Sequence, residues 1–126
     1  MVGVVAVLVG LVAGVASAQG TKKIAFETSF GFVVNDKVMP AGRYEIEALT
    51  GQGPTSLVIR NLGTNDKMIV KTVTRLADLG GKEPTIVFDK TADAQYLAEV
   101  HVPGMDGFDV QHAPGEHGHT KVTAKE

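Results

Sequence analysis

The sequence contains no cysteine and no tryptophan. Without thiols there are no disulfides, thiolate metal sites, iron–sulfur clusters or cysteine nucleophiles, and no lipid-modified N-terminal cysteine. Serine is scarce as well. Only Ser17, Ser29 and Ser56 are present, and none sits in the G-x-S-x-G turn that exposes a hydrolase nucleophile. A net charge of −2 with neutral histidines lacks the basic footprint of a nucleic-acid binder, so no nucleic-acid partner is expected. Charge is missing altogether from the first eighteen residues, MVGVVAVLVGLVAGVASA.

That apolar run ends in Ala16-Ser17-Ala18, the small-x-small pattern that a signal peptidase accepts, and polar QGTKK follows. The expected organisation is therefore a signal peptide over 1–18, a β domain over 19–110 and a Gly/His-rich C-terminal tail over 111–126. A secreted or periplasmic protein is implied, with no membrane association once the signal is cleaved. The rival reading is a retained anchor. About eighteen uncharged residues lie at the lower edge of what spans a bilayer, and Lys22 and Lys23 follow the run with no basic residue before it.

In the rest of the chain the hydrophobic period is two. Ile24, Phe26, Thr28, Phe30, Phe32 and Val34 share one face of a long strand, or of two strands with a bend near Gly31. Asn35-Asp36 and Pro40-Ala41-Gly42 are turn signals, after which Tyr44, Ile46 and Ala48 alternate with Arg43, Glu45 and Glu47. SLVIR, KMIVKTVTR, TIVFD and AQYLAEVHV read as further strands. In the last of these, alternation points Tyr96, Ala98, Val100 and Val102 inward and Gln95, Leu97, Glu99 and His101 outward. LADLGGKEP is the one place suited to a short helical turn, and beyond Pro103 only FDV and TKVTA suit short strands. The fold expected is all-β: a small antiparallel sandwich or barrel of about six to eight strands, mainly a meander, with a flexible C-terminal tail.

The segment FGFVVNDKVMPAGRYEIEAL resembles a group of small exported bacterial β-domain proteins, mostly uncharacterised. In them a similar strand leads through a lysine-containing turn into Pro-Ala-Gly-x-Tyr. SLVIR, PTIVF and YLAEVHVPG are similar too, so the likeness runs from about Ile24 to Gly104. The resemblance implies an exported β domain and brings no catalytic residues. Its central phrase has a plain physical cause: Pro40 fixes the turn, Gly42 supplies permissive backbone, and Tyr44 anchors the next strand.

Little in the chain suits catalysis, and no enzymatic activity is expected. Glu45 and Glu47 are neighbours on one strand face, whereas glycoside hydrolysis needs two carboxyls across a cleft. Lys67, Lys71 and Arg75 lack a Gly-rich phosphate loop and read as a solvated face. His101 reads as exposed. The stretch HAPGEHGH places His112, His117 and His119 within eight residues. In an extended backbone His117 and His119 point to one side and are able to chelate a divalent ion, with His112, Glu116 or water completing the set. Pro114, Gly115 and Gly118 argue instead for a mobile tail whose removal after Gln111 leaves stability nearly unchanged. The leading expectation is thus a non-enzymatic exported β domain, a structural or binding module that meets a protein partner through a sheet edge and needs no cofactor. The alternative is divalent metal binding or buffering, with weakly held Zn, Ni or Cu at His112, His117 and His119.

Overall fold

The computed structural model describes residues 21–49, 57–77 and 81–126, so the signal segment expected over 1–18 lies outside the described residues. Among those described there are eleven strands and no helix: β1 (Thr21–Thr28), β2 (Phe32–Val34), β3 (Lys37–Met39), β4 (Gly42–Leu49), β5 (Leu57–Asn61), β6 (Lys67–Val70), β7 (Thr74–Leu76), β8 (Thr85–Lys90), β9 (Gln95–His101), β10 (Gly107–Asp109) and β11 (Gly118–Thr123). One sheet has the order β1-β4-β5-β6. The other runs β11-β8-β9-β10-β7 and adds the β2-β3 hairpin alongside β9. Pairing is antiparallel except where β2 meets β9 at Val33 and Tyr96. The sheets do not close into a barrel, and the architecture is a sandwich.

The count exceeds the six to eight expected because two apolar runs each serve both sheets. Residues 24–34 leave the first sheet after Thr28 and enter the second at Phe32, and 67–76 do likewise between Val70 and Thr74. Alternation alone does not reveal such a crossing, since the inward face stays inward throughout. Meander connections hold for β4-β5-β6 and β8-β9-β10, whereas β1 pairs with β4 across the intervening hairpin and β11 returns to β8.

The core lies between the sheets. Phe26 stacks on Tyr44 at 5.7 Å, Phe32 meets Tyr44 edge-on at 5.1 Å, and Phe88 contacts Phe32 at 5.3 Å and Phe30 at 5.1 Å. Ile24, Ile46, Leu57, Ile59, Leu97, Val100 and Phe108 complete it, all essentially without solvent contact. Asn35 and Asp36 both take positive φ, 45° and 72°, which gives the two-residue β2-β3 loop the twist its strands require. Gly42 holds φ at 153°, a value that L side chains rarely adopt, so the glycine of the Pro-Ala-Gly-x-Tyr phrase is needed for its backbone. Two residues on, the Tyr44 hydroxyl donates to the Pro40 carbonyl and ties the turn to the core.

The flexible tail is not what the structure has. Gly118–Thr123 forms β11, paired residue for residue with β8 from Gly118↔Lys90 to Thr123↔Thr85. Ala25 and Lys125 then exchange backbone hydrogen bonds of 2.7 and 2.8 Å, which fastens the C-terminus to β1, and Ala124 is buried. The physical reason is edge pairing: β8 is apolar and central, and Thr120, Val122 and Ala124 recur with the period needed to join it.

Candidate metal centre

β8 carries two faces with different fates. Ile86 and Phe88 enter the core, while Val87 and Asp89 point to the outer side and are buried there too. Between Val87 and Phe88 the register with β9 shifts, so that Val87 pairs with Glu99 and Phe88 with Leu97, leaving Ala98 as the extra residue of a bulge. This corrects the facing expected from alternation. Val100 and Val102 do point inward, but on the far side of the bulge Leu97 is the buried residue and Tyr96 is only half-buried, opposite Asp89.

The connection after β10 passes over this outer face, and Ala113 is buried against it. The Ala113 N–H donates to Asp89 Oδ2 at 3.0 Å. From the other side β11 brings His119 directly opposite Asp89 in the ladder, with His119 Nδ1 3.1 Å from Asp89 Oδ1. His117 Nε2 stands 3.5 Å and His112 Nδ1 3.7 Å from Asp89 Oδ2. All three histidines singled out in the sequence therefore surround one carboxylate, whose side chain is 1% exposed. The His117 and His119 rings meet edge-on at 5.3 Å. Asp89, His117 and His119 each offer a ligand atom within 4.8 Å of the others.

Proton positions sharpen the chemistry. His117 Nδ1 lies 3.0 Å from the Gly115 carbonyl, which only accepts, so Nδ1 carries the hydrogen. In a neutral ring the Nε2 lone pair then points at a carboxylate oxygen. Two lone pairs facing one another are stabilised by a cation between them, either a proton or a metal ion. The pattern is that of metal-binding histidines, which donate their second ring N–H to a carbonyl or carboxylate. An imidazole–imidazole–carboxylate set suits Zn²⁺ and related divalent ions.

His101 is not exposed as expected. Its Nε2 pairs with Glu99 Oε1 at 2.8 Å, and its ring lies so near Gly107 that a Cβ there would meet Nδ1 at 2.7 Å, which is why this position in β10 is glycine. A groove of about 370 Å³ runs beside the cluster, with Val87, Glu99, His101, Met105, His119 and Lys121 among its walls. Glu45 bonds Arg60 across β4 and β5 at 3.0 Å, and the Arg75 guanidinium lies 4.7 Å from the centre of the Phe108 ring. Glu45, Glu47, Lys67, Lys71 and Arg75 are therefore not gathered into the histidine cluster.

Sequence reasoning missed Asp89 and Asp109, the two buried acids of this face. Asp89 did leave a signal. In TIVFDK a carboxylate falls in an apolar strand at the alternation of Thr85 and Val87, where an uncovered residue would have been unremarkable. Its partner His119 lies thirty residues away in a different strand, a pairing that no local pattern encodes. A scan of protein-family models, a search of curated proteins and a search of solved structures each return no match for this chain.

Proposed function

We propose that this chain is an exported, non-enzymatic β-sandwich that binds a divalent transition-metal ion through Asp89, His117 and His119. The observation that carries the reading is the orientation of His117: its Nδ1–H is committed to Gly115, and its Nε2 lone pair is aimed at a buried carboxylate. Without a metal, Asp89 receives the Ala113 N–H and the His119 Nδ1–H, so satisfying this carboxylate does not require a third and fourth partner; when a metal binds, the His119 hydrogen sits on Nε2 and Nδ1 is free to ligate. A metal ion gives those additional imidazoles a role and replaces the charge that a lone buried carboxylate lacks. The competing account is an ion-pair cluster in which protonated imidazoles alone neutralise Asp89. Export is supported by the apolar run ending in Ala16-Ser17-Ala18, and the absence of cysteine is consistent with it.

Calorimetric titration of Zn²⁺ into the full-length protein tests the reading. One equivalent is expected to bind, with affinity falling as pH drops because the ligand imidazoles must be neutral. At 100-fold excess over the dissociation constant the metal stabilises the fold by about 2.7 kcal/mol, visible as a raised melting midpoint. The His117→Ala, His119→Ala double variant and Asp89→Asn each lose the stoichiometric binding. A wild-type protein that takes up no ion, or a double variant that binds as well as wild type, overturns the reading in favour of the ion-pair cluster.

A further inference from the structure

Asp109 has no part in the three-ligand site, yet it is buried on the same outer face, with an exposure of 8%. It pairs with Glu99 of β9 in the ladder, so its side chain stands on the side of the sheet that the connection after β10 covers. Its oxygens both lie 3.2 Å from His112 Nε2; Oδ2 makes the hydrogen bond, and Oδ1 has no hydrogen-bond partner among the described residues. A carboxylate buried with one oxygen unsatisfied is costly unless it serves something. The imidazole it holds supplies the reason.

Because Asp109 accepts from Nε2, the hydrogen of a neutral His112 sits on Nε2 and the lone pair on Nδ1. That Nδ1 stands 3.7 Å from Asp89 Oδ2, on the ring edge opposite Asp109. We infer that His112 is the fourth ligand of the metal, and that Asp109 is the positioning residue that fixes its tautomer and aim. The inference rests on the metal-binding reading above and gives the site a specific form: a closed, four-coordinate centre of three imidazoles and one carboxylate, the geometry of a structural Zn²⁺ site.

The distances to Asp89 are close to those of a tetrahedral arrangement. Donor atoms held about 2.0–2.2 Å from an ion at tetrahedral angles stand about 3.3–3.6 Å from each other. The separations of the three imidazole nitrogens from the Asp89 carboxylate are 3.1, 3.5 and 3.7 Å. The donor atoms of Asp89, His117 and His119 already lie within 4.8 Å of one another, whereas His112 stands outside that group and its ring must turn toward the other two imidazoles to complete the set. His112 and His117 then have the same construction, one ring nitrogen hydrogen-bonded away from the site and the other turned into it, with Asp109 doing for His112 what the Gly115 carbonyl does for His117. The Pro114-Gly115 turn between them carries Gly115 at φ 74°, and this bend returns the chain so that both rings reach one carboxylate.

The test uses Co²⁺ as a spectroscopic substitute for Zn²⁺ in the full-length protein. Wild type is expected to give the intense visible absorption of a tetrahedral Co²⁺ centre and to leave it unchanged on adding azide, because no coordination position is open. His112→Ala opens one. It is expected to weaken Co²⁺ and Zn²⁺ binding about 10–100-fold, to make the spectrum azide-sensitive, and to recover affinity with added imidazole. Asp109→Asn keeps the side-chain shape but loses the carboxylate, and a loss of the same order is expected, with partial azide sensitivity and an unchanged melting midpoint of the metal-free protein. His112→Gln serves as a second variant should the alanine protein fold poorly. A His112 variant with wild-type affinity and an azide-inert spectrum overturns the fourth ligand while leaving the three-ligand site standing. Failure of wild type to bind either ion overturns both.

Discussion

β4 and β8 hold equivalent places, each with a paired strand on either side, but their outer faces differ. On β4 the outer residues are Arg43, Glu45 and Glu47, exposed or half-buried, and Glu45 finds its partner in the neighbouring strand. On β8 the corresponding Val87 and Asp89 are buried, with Asp89 closed in by Ala113 and three imidazoles from the chain's last fifteen residues. The difference shows that strand alternation specifies which side a residue faces and not what covers that side. A charged residue facing outward is a solvated residue in one sheet and the centre of a site in the other.

The widest break in the comparison comes from removing the cover. Deleting residues 112–126 strips β11 from β8, takes Ala124 out of the core and unfastens the C-terminus from β1. Loss of a six-residue ladder at about 1 kcal/mol per hydrogen bond puts the expected cost on the order of 5 kcal/mol, comparable with the whole stability of a marginal domain. Thermal and denaturant unfolding of the truncated protein measure it. A truncated protein with an unchanged midpoint would restore the mobile-tail expectation.

Within β8 itself, Phe88→Ala removes a ring packed against Phe26, Phe30 and Phe32 and is expected to cost about 3–5 kcal/mol. On the outer face of β4, Glu47→Ala is expected to stay within about 0.5 kcal/mol of wild type. Equal effects in denaturant melts of the two variants would mean that the inner and outer faces have been misassigned.

What the sequence made legible follows the same division. The inward residues of β1, β2 and β4 are read correctly from Ile24 to Ala48 because period-two alternation and burial coincide there. The turns at Asn35-Asp36 and Gly42 are legible from residues that tolerate positive φ. Tyr96 and Leu97 are misread because one bulge residue inverts the alternation, and a bulge stabilised by pairing with β8 leaves no local mark. The three histidines are visible in HAPGEHGH, but their convergence depends on β11 finding β8. Glycine and proline in that stretch suggest looseness when the chain is read alone; in the fold they make the turn that returns it over Asp89. Asp109 is hidden for the same reason, since its role is defined by His112 and not by its neighbours in sequence.

The smallest expected effect concerns how each region satisfies its one deeply buried polar group. In β8 it is a carboxylate ringed by imidazoles, whereas in β4 it is the Tyr44 phenol, which donates to the Pro40 carbonyl and accepts from Asn61 Nδ2 at 3.4 Å. Burial pushes the Tyr44 pKa above its ordinary 10.0, and the Asn61 hydrogen bond only partly opposes the shift. The sign follows from linkage. Below pH 10.0 the phenol is neutral in both folded and unfolded chains and stability does not depend on its titration. As pH rises past that value the unfolded chain releases the proton first, so stability is lost until the folded phenol also ionises. Tyr44→Phe lacks this titration but also lacks the hydrogen bond to Pro40, and at neutral pH it is expected to be less stable by about 0.5–1.5 kcal/mol. The gap between wild type and Tyr44→Phe should therefore narrow as pH climbs above 10.0. Denaturant melts of the pair at neutral and strongly alkaline pH measure it, and a gap that stays constant would mean that Tyr44 ionises as freely in the fold as in the unfolded chain.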